Sequence, residues 1–71
     1  MKKILILGSG GFVGTNLALY FSNKKNIQLY GTYLGKKPKI KNIKLIKLNI
    51  LDRNKTNKLF KNKDVVINCA A

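Results

Sequence analysis

Apolar and polar positions change their period several times along this chain. Ile4 to Leu7 is an unbroken apolar run, the pattern of a strand covered on both faces. Glycines follow at once. From Phe12 to about Asn23 the apolar positions Val13, Leu17, Tyr20 and Phe21 fall at helical spacing, which predicts a helix with one apolar face. Asn23 and the Lys24-Lys25 pair close that helix, with cations at the negative end of its dipole. Ile27 to Tyr33 predicts a second strand around Leu29 and Tyr30. Leu34 to Asn42 holds Gly35, Pro38 and four lysines and reads as a solvated loop. Ile43 to Asn49 alternates around Leu45, Ile46 and Leu48 and predicts a third strand. Asp52 is placed to cap a helix that starts near Arg53. Leu59 and Phe60 are expected to anchor this helix to the sheet, and Asn62 to end it. Val65 to Cys69 then predicts a fourth, strongly buried strand.

The order β-α-β-loop-β-α-β implies parallel pairing and an α/β fold. No internal repeat, second domain or flexible linker is visible. In a doubly wound sheet the fourth strand lies beside the first, near the centre of the complete sheet. A sheet stopping there leaves a long apolar edge unpaired. The expectation is that these 71 residues are the front of a longer protein.

Charge changes the picture less than its size suggests. Lys and Arg number 15 against 2 Asp and Glu, a net charge of +13. Such an excess suits a nucleic-acid partner through counterion release. However, only Arg53 is an arginine, and the lysines rise together with nine Asn and eight Ile. That combination reads as a compositional bias, whereas nucleic-acid readers lean on Arg and on aromatic stacking. The expectation is therefore no nucleic-acid partner. With no His and two carboxylates, a metal site or a general acid-base pair is not expected within this stretch. Cys69 is the only cysteine, so no internal disulfide forms, and it reads as a small apolar residue of a strand. The apolar run after Met1-Lys2-Lys3 stops at Gly8, too short for a signal peptide. No run approaches membrane-spanning length. The expected location is the cytoplasm, without a membrane partner.

The chemistry lies in the glycine turn between the first strand and the first helix. That position aims helix N-terminal amides, and the positive end of the helix dipole, at whatever sits above them. A pyrophosphate fits there, and glycines let the backbone approach it. The spacing is G-x-x-G-x-x-G at Gly8, Gly11 and Gly14, with Gly10 as an extra glycine. Val13 stands where the G-x-G-x-x-G fingerprint would need its last glycine. Gly14 falls inside the helix, where glycine costs about 1 kcal/mol relative to alanine. It makes sense there if the helix must pack close to the strand or the ligand. A glycine turn could be a turn and nothing more. Following a buried strand, opening an amphipathic helix and heading a β-α-β series, this one reads as a dinucleotide-binding turn.

The segment Ile4-Leu5-Ile6-Leu7-Gly8-Ser9-Gly10-Gly11-Phe12-Val13-Gly14 resembles the start of the extended short-chain dehydrogenase/reductase family. Within it, the NAD-dependent epimerases, dehydratases and reductases of nucleotide sugars are the nearest in pattern. The resemblance spans the chain, including Leu48-Asn49-Ile50-Leu51-Asp52 and Val65-Val66-Ile67-Asn68-Cys69-Ala70-Ala71. It implies a Rossmann-type domain, NAD(P) as cofactor, a nucleotide-sugar substrate and a homodimeric parent enzyme. It also implies that the backbone of Gly11, Phe12 and Val13 lies along the pyrophosphate. The family's acidic residue after the third strand, which accepts from the adenine amino group, is replaced by Asn49, next to Ile50. The Asn49 side-chain carbonyl can still accept that bond, or it can be a strand-end polar residue only. Ala70 and Ala71 fall beside the cofactor ribose, where small side chains leave room, or serve simple packing.

One departure bears on cofactor choice. NAD-specific Rossmann proteins carry an Asp or Glu about 20 residues past the glycine turn, yet no carboxylate precedes Asp52. The corresponding stretch is Thr32-Tyr33-Leu34-Gly35-Lys36-Lys37. Cations there suit a 2′-phosphate, so NADP(H) is expected to be preferred, through Lys36 or Lys37 with Thr32 assisting. Against this stands the general lysine bias. The family's catalytic Tyr-x-x-x-Lys is carried on a helix. Tyr33 to Lys37 spells it at a strand end and loop and reads as coincidence, so no catalytic residue is assigned. The alternative function is a non-catalytic NAD(P)-binding sensor or remnant module.

Overall fold

The computed structural model describes residues 1–70. Its elements run β1 (Lys2–Leu7), α1 (Phe12–Ser22), β2 (Ile27–Tyr33), β3 (Lys44–Lys47), α2 (Arg53–Phe60) and β4 (Val65–Asn68). The strands form one parallel sheet in the order β3-β2-β1-β4. The chain thus leaves β1 toward β2 and β3 on one side, then crosses back to pair β4 with β1 on the other.

The unbroken apolar run of β1 follows from this position. Successive side chains of a strand point to opposite faces. Ile4 and Ile6 pack with Ala18 and Leu29 on the α1 face, while Leu5 and Leu7 pack with Leu48 on the other. Both faces are covered, so no polar residue is tolerated between Ile4 and Leu7.

The helix α1 presents a different face from the one its large apolar residues predict. Its buried positions are Gly14 and Ala18, with Leu17 and Phe21 half-buried beside them, whereas Val13 and Tyr20 are 60% and 58% exposed. The face is turned toward the smallest side chains because the turn brings the helix backbone close to β1. There a side chain of any size would not fit. Tyr20 instead stacks edge-on against Phe21 and carries the Lys24 ammonium over its ring.

Several bounds and anchors also move. β1 begins two residues earlier than the apolar run, because Lys2 and Lys3 pair with Ile27 and Gln28. β3 is shorter than its alternating pattern, since among the described residues it pairs with β2 alone. Its last ladder-like bond is Leu48 N–H to the Tyr33 carbonyl, 2.9 Å. The lysine-rich loop is not wholly solvated, for Ile40 and Ile43 pack onto the α1-side core. In α2, Leu59 packs against the Leu5–Leu7–Leu48 cluster, but Phe60 is 40% exposed and is no anchor. β4 pairs with β1 as expected, yet Val65 and Val66 are 36% and 39% exposed, so the strand is not strongly buried among the described residues.

Both carboxylates hold backbone. Asp52 Oδ1 accepts from Lys55 N–H at 3.2 Å, capping α2, and Asp64 Oδ2 accepts from Lys3 N–H at 2.6 Å, joining the entry of β4 to β1. Asp52→Ala should therefore lower unfolding free energy by about 1 kcal/mol, read as a shifted urea midpoint with an unchanged slope.

Candidate cofactor site

The site lies at the carboxyl ends of the strands, where the order reverses between β2–β1 and β1–β4. Open α/β sheets bind ligands at such switch points. A larger cavity of about 560 Å³, lined by Phe21, Asn23, Lys25 and Asn42 among others, lies at the opposite end of the sheet.

The turn from β1 to α1 is held by hydrogen bonds to β2. Gly8 N–H donates to Thr32 Oγ1 at 3.0 Å. Ser9 N–H and Ser9 Oγ both donate to the Thr32 carbonyl, at 2.8 and 2.9 Å. Thr15 Oγ1 donates back to the Ser9 carbonyl at 2.7 Å. Two glycines make the turn possible. Gly8 has φ +81°, and a Cβ there would stand 2.8 Å from the Ala70 amide nitrogen. A Cβ on Gly14 would collide with the Gly8 carbonyl oxygen and stand 2.9 Å from Ser9 Cα. Helix, turn and the end of β4 thus meet at backbone contact.

This geometry fits a pyrophosphate. α1 opens at Gly11, which supplies no side-chain cap, so the first amides of the helix, at Phe12, Val13 and Gly14, have no partner within it. A bound anion can take those donors and also meets the positive end of the helix dipole. Gly10 and Gly11 are exposed, leaving the backbone open to approach, but the Gly11 N–H expected along the pyrophosphate donates instead to the Gly8 carbonyl at 3.4 Å. Phe12 is 86% exposed and Val13 60%, so each would serve through its amide and not its side chain.

The remaining expected residues fall into four groups. Lys36 and Lys37 come to the turn: with Gly10, Pro38 and Lys39 they line an open cavity of about 330 Å³. Asn49 and Ile50 follow β3 at the same edge of the sheet, and both are exposed. Asn49 Oδ1 accepts from Leu51 N–H at 3.0 Å, which leaves one lone pair of that oxygen for a ligand. Ala70 sits against Gly8, its N–H donating to Asn68 Oδ1 at 3.0 Å. Ala71 lies outside the described residues. Thr32 is corrected. It is 1% exposed and its hydroxyl holds the Gly8 amide, so it has no surface for a 2′-phosphate.

Ser9, Thr15 and Gly31 support the site without having been singled out from the sequence. Gly31 makes room for Ser9, since a Cβ there would stand 2.6 Å from Ser9 Oγ. No periodicity marks such residues, because they serve a turn and not a face. Among the described residues both carboxylates are engaged elsewhere, Tyr33 ends β2 with its Cβ 3.6 Å from where a Cβ on Gly10 would stand, and Lys37 follows in the loop beside the turn.

Residues 4–71 match the model of the NAD-dependent epimerase/dehydratase family. The chain belongs to that family. The match covers the glycine turn, both helices and all of β4. Members bind NAD(P), and the family's chemistry is of the NAD-dependent oxidoreductase type. Among the described residues no cluster of His, Cys, Asp or Glu could hold a metal ion, and no helix is long and apolar enough to cross a membrane.

Proposed function

We propose that this chain is the cofactor-binding part of a cytoplasmic oxidoreductase acting on a nucleotide-linked sugar, with NADP(H) preferred over NAD(H). The observation that carries the cofactor reading is the cradle itself: uncapped α1 amides above a turn whose Gly8 and Gly14 leave no room for a side chain. The nucleotide-sugar class is supported by the family match and by the resemblance over the glycine turn and β4. When bound, the nicotinamide takes or gives a hydride. This chain's own residues bind and orient the dinucleotide. Phe12, Val13 and Gly14 donate amides to the pyrophosphate, Asn49 accepts at the adenine, and Ala70 leaves space at the ribose.

NADP(H) preference rests on the cavity that Lys36 and Lys37 share with Gly10 and on the lack of any carboxylate before Asp52. An ammonium paired with a phosphate is a charge-assisted contact. The wild-type chain should bind NADPH about tenfold more tightly than NADH. Replacing Lys36 and Lys37 together by Ala should remove that preference by weakening NADPH alone. Isothermal titration at fixed ionic strength measures this. Equal affinities in the wild type, unchanged in the double variant, would overturn the preference and leave the cofactor reading standing.

A further inference from the structure

We infer that the Thr32 hydroxyl is a positioning group for dinucleotide binding, acting through the Gly8 amide to set the pyrophosphate turn before the ligand arrives. This rests on the cofactor reading above and deepens it. The inward polar groups of the turn are satisfied from one residue of β2. Thr32 Oγ1 takes the Gly8 N–H at 3.0 Å, and the Thr32 carbonyl takes both the N–H and the Oγ–H of Ser9. Thr15 Oγ1 closes the set on the Ser9 carbonyl at 2.7 Å. Ser9 and Thr32 are 0% and 1% exposed, so the bond from Ser9 Oγ to the Thr32 carbonyl is closed to water, and those at Gly8 and Thr15 are half-buried. The arrangement requires Gly31, the only side chain small enough to leave space for Ser9 Oγ.

The consequence is directional. With its inward groups engaged, the turn leaves the uncapped α1 amides outward for an anion. A turn set in advance does not have to be ordered at the moment of binding, which strengthens binding without any new contact. Thr32 touches no ligand atom in this account. Valine has nearly the shape of threonine, but would leave the half-buried Gly8 N–H without its acceptor.

The test compares Thr32→Val, Thr32→Ser and Ser9→Ala with the wild-type chain, after thermal melts have fixed a temperature at which each is folded. Affinities are measured for NADH and for adenosine, which lacks the phosphates. Thr32→Val should weaken NADH about tenfold, the size of one buried hydrogen bond lost. It should leave the weak adenosine affinity unchanged. Thr32→Ser restores the acceptor and should recover most of the NADH affinity. Ser9→Ala, which keeps the Ser9 N–H bond, should show a smaller loss of the same kind. Equal losses for NADH and adenosine would reduce Thr32 to a structural role, and full NADH affinity in Thr32→Val would also overturn the inference. A wild-type chain that binds no dinucleotide would overturn the underlying cofactor reading itself, a result separable from the other two. If Thr32→Val does not fold, Thr32→Cys decides, because its thiol is only a weak acceptor for the Gly8 N–H: an unchanged NADH affinity overturns the inference.

Discussion

Gly14→Ala should destabilise this chain and weaken dinucleotide binding, although the same change on a solvent-facing helix position is stabilising. Helix propensity alone favours alanine over glycine by about 1 kcal/mol. Overpacking opposes it, at about 1–3 kcal/mol and occasionally more. The atoms met decide which wins. The new Cβ would meet the Gly8 carbonyl and Ser9 Cα, which are backbone. Those residues are tied to β2 at Gly8 N, Ser9 N and Ser9 Oγ, so they cannot move aside without breaking the lock. The helix must move instead, taking with it the buried Ala18 and the half-buried Leu17 and Phe21. We expect a net loss of about 2 kcal/mol, a fall in Tm of roughly 10 °C for a domain of this size. Because the α1 amides shift with the helix, NADPH affinity should fall with stability. Asn16→Ala, on the exposed side of the same helix, is the control and should change Tm little. A rise in Tm for Gly14→Ala would contradict the close approach of α1 to the turn.

Leu5→Ala should be more severe still. Leu5 is 0% exposed at the centre of the sheet, with Tyr30 and Val66 as its neighbours across the two ladders. It belongs to the cluster of Leu5, Leu7 and Leu48 that faces α2. That side has little to spare: α2 contributes no buried residue, and Leu59 is its contact with the cluster. Truncating a buried leucine costs about 3–5 kcal/mol when the site cannot collapse. Total stability for a chain of this length is about 4–10 kcal/mol on the usual per-residue scale. Leu5→Ala should leave much of the chain unfolded at 37 °C, seen as loss of the far-ultraviolet helix signal. A saturating cofactor should recover part of it by mass action. Leu51→Ala, at a position 82% exposed, should stay within about 0.5 kcal/mol of wild type.

The parts of the fold that depend on period were legible in the residues. β2 runs over Ile27–Tyr33 as its composition predicts, β1 contains the apolar run at its heart, and Asp52 caps α2. The errors share one cause. Periodicity finds large apolar side chains, and near the turn the contact is made by residues that have almost none. Gly14 and Ala18 therefore replaced Val13 and Tyr20 as the buried line of α1. Edge positions misled in the opposite sense: Val65 and Val66 are as apolar as core residues, yet β4 has a partner on one side only among the described residues.

For the site, glycine spacing located the turn, and the structure brought Lys36 and Lys37 beside it. The role of Thr32 was not legible. A threonine at a strand end can face a ligand or turn inward, and only the position of the Gly8 amide shows which. Ser9 and Gly31 were illegible for a related reason. Each explains the other through space, 22 residues apart in the chain, and neither belongs to a repeating pattern.

That the glycine turn and the opening of α1 hold the dinucleotide pyrophosphate is the proposal on which the function rests. Its most direct test is an amide NMR titration of the chain with NADPH at physiological ionic strength. Saturable shifts of the Gly10 to Gly14 amides are expected, with smaller changes at Lys36, Lys37 and Asn49, and with the N-terminal ends of the strands undisturbed. Shifts spread over the lysine-rich surface that vanish with added salt, and leave Gly10 to Gly14 unmoved, would contradict it.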